Sequence, residues 1–167
     1  MTAHEIERKW LIARPDEALL AAQPGASSSQ IVQTYLIAPA GLSRRVRART
    51  QNGITVCTTT EKRRINAMTA EETETVITAD TYAALLREAD PACSPIAKTR
   101  WCIPYAGQVL EIDLYPFWDA QAVLEIELPS PDAATSLPPY LTILQEVTGD
   151  RTYSNHSLSR TIPQQII

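Results

Sequence analysis

The sequence predicts an α+β fold built on a largely antiparallel sheet, and three observations predict it. Apolar and polar residues alternate in short runs bounded by Pro, Gly, Ser or Asn, which is the period of a half-buried strand. Eight such runs recur along the chain, with helical pieces between them and collected at the end, an order that suits α+β architecture better than repeated βαβ units. In six of the runs charged residues pair at two-residue spacing, which puts each pair on one face of its strand.

The eight strands fall at 4–12, 30–38, 43–51, 54–64, 70–78, 96–104, 108–115 and 122–128. A helix is expected over 15–22, where Pro15 suits a first turn. Another is expected over 78–89, with Thr78 as its cap and Tyr82, Leu85, Leu86 and Ala89 as an apolar stripe. Residues 139–147 read as a short helix with Gly149 in the left-handed capping position, and 155–160 as a further turn before Pro163. The stretches 25–29 and 129–134 are too brief to separate domains. With 167 residues in all, residues 1–167 form one domain.

Composition narrows the function. Lys and Arg number 15 against 19 Asp and Glu, a net charge of −4, so neither nucleic acid nor an anionic membrane is a general ligand. Cys57, Cys93 and Cys102 make no CxxC pair and leave an odd thiol, which fits a reducing cytoplasm. No run approaches the roughly 20 apolar residues of a membrane helix, and no basic leader precedes an apolar core. Neither GxxxxGK[ST], GxGxxG nor GxSxG occurs, and His156-Ser157 are adjacent, unlike the members of a catalytic triad.

The paired charges carry the chemistry. Glu5, Glu7 and Lys9 share one face, with Ile6 and Trp10 opposite, and the split recurs at Arg45/Arg47, Glu72/Glu74, Lys98/Arg100, Glu111/Asp113 and Glu125/Glu127. One such strand would be an ordinary solvated face, where Ser, Thr, Gln and Asn are common. Six strands with charge at almost every aligned position imply a shared demand. If the eight strands close, the barrel is just wide enough for side chains or one small ligand, and these faces converge inside it. Ile6, Val46, Ile112, Leu114, Leu124, Ile126 and Leu128 then point outward, under helices such as 78–89, and any face left uncovered would leave room for a homodimer. Because desolvating an unpaired ion costs several kcal/mol, the interior has to be wet or occupied. Carboxylates without His or Cys partners suit Mg²⁺ or Mn²⁺, and Arg and Lys on neighbouring strands suit phosphate oxygens. Together they describe a site for a metal-bridged polyanion.

These residues resemble the CYTH superfamily, the triphosphate tunnel metalloenzymes. The resemblance rests on Glu5-Ile6-Glu7-Arg8-Lys9, then Tyr35-Leu36, Arg45-Val46-Arg47, Thr60-Glu61-Lys62-Arg63, Glu72-Thr73-Glu74, Lys98-Thr99-Arg100-Trp101, Glu111-Ile112-Asp113, Glu125-Ile126-Glu127 and Tyr153-Ser154-Asn155, in order and across almost the whole chain. It implies an eight-stranded antiparallel closed barrel, a tunnel that hydrolyses a triphosphate group with one or two Mg²⁺ or Mn²⁺ ions. The single compact domain is most similar to the bacterial tripolyphosphatase group. Thiamine triphosphatases and class IV adenylyl cyclases are alternatives, as is a non-catalytic polyphosphate or nucleotide sensor. By position, the resemblance makes Glu5, Glu7, Glu125 and Glu127 metal ligands with Glu111 and Asp113 beside them. It makes Lys9, Arg45, Arg47, Lys62, Lys98 and Arg100 phosphate contacts, and Glu72 and Glu74 holders of metal or the attacking water. Tyr35 with Lys62 resembles a dyad linked to thiamine triphosphate hydrolysis. His156 stands where relatives carry a lysine, with Arg160 or Arg151 as replacements, and Arg63 or Arg64 competes with Lys62.

Overall fold

The computed structural model describes residues 2–167. Nine strands form one antiparallel sheet: β1 (Thr2–Ala13), β2 (Ser27–Leu36), β3 (Ser43–Gln51), β4 (Ile54–Arg64), β5 (Thr69–Ile77), β6 (Ile96–Tyr105), β7 (Gln108–Leu114), β8 (Gln121–Glu127) and β9 (Ile143–Glu146). Eight of them run in the order β5-β4-β3-β2-β6-β7-β8-β1, and pairing of β1 with β5 closes the ring. The expected closed barrel is therefore present, with one strand more than the sequence suggested. Tight hairpins set its register. Asn52 and Gly53 join β3 to β4 with φ of 51° and 77°, the left-handed pair that a two-residue hairpin turn requires.

The first strand is the seam. One edge of β1 pairs with β8 from Glu7↔Glu127 to Ala13↔Gln121. Its other edge is shared, with residues 2–6 on β5 and residues 10–12 on β9. Between those partners the edge is taken up by the Met68 carbonyl, which accepts from Glu7 N, and the Thr148 hydroxyl, which accepts from Lys9 N.

The helices are short: α1 (Glu17–Ala21), α2 (Ala79–Leu85), continued by a 3₁₀ turn over Leu86–Glu88, and α3 (Asn155–Leu158) after a 3₁₀ turn over Arg151–Tyr153. Asp16 caps α1 and Thr78 caps α2 through their side chains, so both expected starts hold to within two residues. Residues 139–147 are not helical, which corrects the sequence expectation. They contain β9, in which Ile143 packs on the outer core and its neighbour Leu144 on the inner one, the alternation of a strand.

Two apolar cores result. The outer core holds the outward residues of β1, β6, β7 and β8, among them Trp10, Ile12, Ile103, Ile112, Leu124 and Ile126, beneath Leu20 of α1 and the segment bearing Leu137, Tyr140 and Leu141. The expected cover by 78–89 does not occur there; α2 buries no residue and lies against β3 and β4. The second core is inside the barrel. Leu11, Ile96 and Val123 point inward and pack with Tyr115, Trp118, Val147, Tyr153 and Leu158, so the chain's last segment fills part of an interior that the charge pattern alone portrayed as wholly polar. Among the described residues no helix is long and apolar enough to cross a membrane, and the three cysteines are unpaired.

Candidate active site

Strand order turns the two-residue pattern into two facing walls. In the ring, β3 and β8 are four steps apart in either direction. The inward residues of β3, Arg45, Arg47 and Arg49, therefore lie across the barrel from Glu125 and Glu127 of β8. Beside β8, β1 adds Glu5, Glu7 and Lys9 and β7 adds Glu111. Beside β3, β4 adds Thr60, Lys62 and Arg64, and β5 adds Glu72 and Glu74. All of them line one cavity of about 580 Å³, inside the ~300–1,000 Å³ range of small-ligand sites. Arg100, Tyr35, loop residues 41–43 and 66–69 and the segment from Val147 to Ser157 complete the lining.

Two expected site residues are not on that surface. Lys98 and Asp113 face inward, but both side chains are 0% exposed, and Lys98 Nζ meets Asp113 Oδ2 at 2.6 Å. Arg100 clasps the same carboxylate, Nε to Oδ1 at 2.7 Å and a terminal nitrogen to Oδ2 at 2.8 Å. Asp113 thus sits behind Arg100 with its oxygens occupied, and its lining role is taken by the Arg100 it supports. Against burial, which favours the neutral acid, Arg100 and Lys98 hold Asp113 down at about 2. Lys98 is pushed down to about 7 by burial, Asp113 opposing this while Arg100 and Arg47 add to it.

The cavity wall is ion-paired but incompletely satisfied. Lys62 bonds Glu5 and approaches Glu72 at 3.6 Å; Lys9 approaches Glu125 at 3.3 Å and Glu7 at 3.8 Å; Arg100 bonds Glu111. Burial together with Glu125 raises the Glu7 carboxyl to about 8, Lys9 only partly offsetting them. On the opposite wall, burial with Arg45 and Arg100 nearby lowers Arg47 to about 10. Of the cavity's charged side chains, three buried atoms have no hydrogen-bond partner: Nε of Arg45, Nε of Arg47 and Oε2 of Glu72. Orphaned buried donors are rare in native proteins and expensive to maintain. Guanidinium donors left without acceptors, across a cavity from clustered carboxylates, suit a polyanion accompanied by a divalent ion.

Arg49 and Arg64 were absent from the expected contacts or only alternatives among them. Arg49 continues the Arg45–Arg47 spacing by two residues, so extending the same parity finds it; its Nε donates to Ser29 Oγ at 2.9 Å. Arg64 shares parity with Lys62, yet its donors go to the carbonyls of Asn66, Ala67 and Gly149, which braces the two loops at one end of the cavity. His156 lines the cavity with its ring centroid 4.8 Å from that of Tyr35. Arg151 also lines it, whereas Arg160 pairs with Asp90 outside.

No protein-family model matches this sequence, and no curated protein matches it. Among solved structures, the inorganic triphosphatase NE1496 is similar at 28% identity, with 96% of this chain and 97% of that chain covered and a TM-score of 0.61. The chain shares the fold of that inorganic triphosphatase along nearly its whole length. Two further structures share the tunnel fold. PH1819 from Pyrococcus horikoshii OT3 does so at 20% identity and a TM-score of 0.58, over 77% of this chain and 80% of that one. HpAC1 from Hippeastrum, an adenylyl cyclase candidate described as having a dominant triphosphatase activity, does so at 18% and 0.52, over 77% and 81%.

The tunnel's carboxylates fit a hard divalent ion by type and by face. Glu5, Glu7, Glu125 and Glu127 project from adjacent strands in the register Glu7↔Glu127 and Lys9↔Glu125. Glu111 is opposite Glu125 on the next strand. Among the described residues no three ligating side chains are already drawn into a cage; an ion would take the places of Lys62, Lys9 and Arg100 beside these carboxylates. Asp113, enclosed by Arg100 and Lys98, does not belong to that set.

Proposed function

We propose that this tunnel hydrolyses triphosphate-containing substrates, inorganic tripolyphosphate first among them, with Mg²⁺ or Mn²⁺. The observation that carries the proposal is the unpartnered Nε of both Arg45 and Arg47, buried in one cavity across from Glu125 and Glu127. Similarity to an inorganic triphosphatase over nearly the full length of both chains supports it.

In this reading Arg45, Arg47 and Arg49 grip the non-bridging oxygens of the phosphate chain, their planar forks matching tetrahedral oxyanions. Lys9, Lys62 and Arg100 complete the positive lining. Glu5, Glu7, Glu125 and Glu127 would hold the metal, which when bound supplies positive charge to the phosphate oxygens as a Lewis acid. Glu72 holds the attacking water: its Oε2 is buried without a hydrogen bond, Lys62 being 3.6 Å away, and its carboxyl is raised by burial and Glu5, with Arg45 and Lys62 opposing, which improves it as a base. Water oxygen bonds the terminal phosphorus as the bridging P–O bond breaks, the proton passes to Glu72, and diphosphate leaves with phosphate as the second product. Positioning and charge stabilisation provide the acceleration, and no covalent enzyme intermediate is needed.

The test is a panel of tripolyphosphate, thiamine triphosphate, ATP and GTP with each metal, products resolved by chromatography. Phosphate and diphosphate from tripolyphosphate support the proposal. Cyclic AMP and diphosphate from ATP would make the protein a cyclase, and tight binding with no turnover would make it a sensor.

A further inference from the structure

Beneath the phosphate wall lies a buried cluster that the hydrolytic scheme leaves without a task. Tyr115, 1% exposed, donates its hydroxyl to Asn155 Oδ1 at 2.6 Å. The same hydroxyl is 3.5 Å from Asp113 Oδ2. Lys98 Nζ, bonded to that oxygen, is 3.5 Å from Asn155 Oδ1 and 5.8 Å from the centre of the Tyr115 ring. One hydroxyl therefore joins the ion cluster that supports Arg100 to the segment that opens α3.

We infer that Tyr115 is a positioning residue of the tunnel, holding the C-terminal wall, through Asn155, in register with the Arg100–Asp113–Lys98 cluster under the phosphate-binding surface. The inference rests on the triphosphate reading of the cavity. The segment it steadies is a functional wall: Ser154, Asn155, His156 and Ser157 all line the cavity. His156 leans on Tyr35, and Tyr35 is the cross-strand partner of Arg45. A tilt of α3 thus reaches an arginine whose Nε awaits an anion. Tyr115 itself is outside the cavity, so any effect it has on substrate passes through these neighbours.

The segment has other fastenings. Tyr153 and Leu158 are in the inner core, Ser94 N donates to Ser159 O at 2.7 Å, and Gln165 Oε1 accepts from the backbone of Ala120 and Gln121. Removing one hydroxyl therefore leaves it docked and changes its aim, which makes Tyr115→Phe a clean perturbation with ring packing against Phe117 and Trp118 retained.

The experiment compares the wild type with Tyr115→Phe in steady-state tripolyphosphate hydrolysis with Mg²⁺ and in calorimetric binding of tripolyphosphate alone. Because these wall contacts form equally in the bound and reacting complexes, KM is expected to rise about 5–10-fold with kcat within about 2-fold. Asp113→Asn is expected to raise KM at least as much. The double variant should fall short of the product of the two effects, as residues of one network do. A wild-type KM and affinity in Tyr115→Phe, whatever its melting temperature, would overturn the inference and leave the hydrolase reading standing. A wild type that binds tripolyphosphate without hydrolysing it would defeat the hydrolase reading instead, and the calorimetric ratio would still test Tyr115: a loss of about 5–10-fold upholds its role, an unchanged affinity overturns it. No binding by the wild type would sink both.

Discussion

Replacing Glu7 by glutamine should remove activity and add stability. The Glu7 carboxyl is pushed from an ordinary 4.5 to about 8 by burial and by Glu125. The folded protein then keeps a proton that the unfolded chain releases. Below the unfolded value neither state is ionised at this position and nothing is lost. As pH rises from 4.5 towards 8 the metal-free fold loses about 1.4 kcal/mol per pH unit, and beyond 8 the loss levels off at about 4–5 kcal/mol. Glutamine carries no such burden. It also deprives Lys9, 3.8 Å away, of an anion, which reduces the expected gain to roughly 2–4 kcal/mol at pH 8.5. For a chain of this size that is a rise in melting temperature of about 5–15 °C. The assay is thermal unfolding of metal-free wild type and Glu7→Gln at pH 5 and pH 8.5, paired with tripolyphosphate turnover in Mg²⁺. Turnover should fall at least ~100-fold while far-UV circular dichroism is unchanged. Equal melting temperatures at pH 8.5, a stability gain of the same size at both pH values, or retained metal-dependent turnover would refute the reasoning.

Arg47→Met should leave the ligand-free protein as stable as the wild type or more so, since it removes a buried guanidinium crowded by Arg45 and Arg100, while raising KM for tripolyphosphate at least ~10-fold; thermal shift with and without tripolyphosphate checks both halves. With Glu7 and Glu72 both raised above the usual carboxylate range, kcat/KM should climb between pH 6 and 8.5 as the carboxylates lose their protons, and a pH profile with an optimum near 5 would contradict it. Saturating Mg²⁺ should shift that rise to lower pH, because the ion competes with the proton for the carboxylates. Gly149→Ala should destabilise by about 1–3 kcal/mol, as the glycine has φ +78° and an added Cβ would be 2.9 Å from the Ala67 Cβ; a chemical denaturation curve measures it.

Much of this was legible in the sequence because strand parity is exact: a residue two positions along returns to the same face. Parity together with closure of the strands assigns Glu5, Glu7, Arg45, Arg47, Glu125 and Glu127 to one interior. Parity says nothing about depth along the barrel axis, however. Lys98 and Asp113 have the right parity and still end up walled off behind Arg100, because the inner core from Leu11, Val123 and Tyr115 fills that level. Residues 139–147 resemble a short helix in sequence because Gly149 follows them where a left-handed cap would sit. What decides otherwise is a free edge on β1 and two separate cores to receive Ile143 and Leu144, and both depend on residues over a hundred positions away. The unpartnered arginine donors had no signature in the sequence at all, since which guanidinium finds a partner depends on three-dimensional neighbours.

The divided edge of β1 has a consequence for biosynthesis. Glu5, Glu7 and Lys9 precede in the chain all the strands that flank them, β5, β8 and β9, which arrive progressively, and β9 ends at Glu146. Until then the nascent β1 has unsatisfied backbone on at least one side and the acidic side chains have no enclosure. Such distant pairings make for slow folding and a prolonged interval of vulnerability to misassociation. Residues 5–9 carry two carboxylates and two bases, so the unpaired edge of β1 is guarded by charged side chains of both signs until its neighbours arrive.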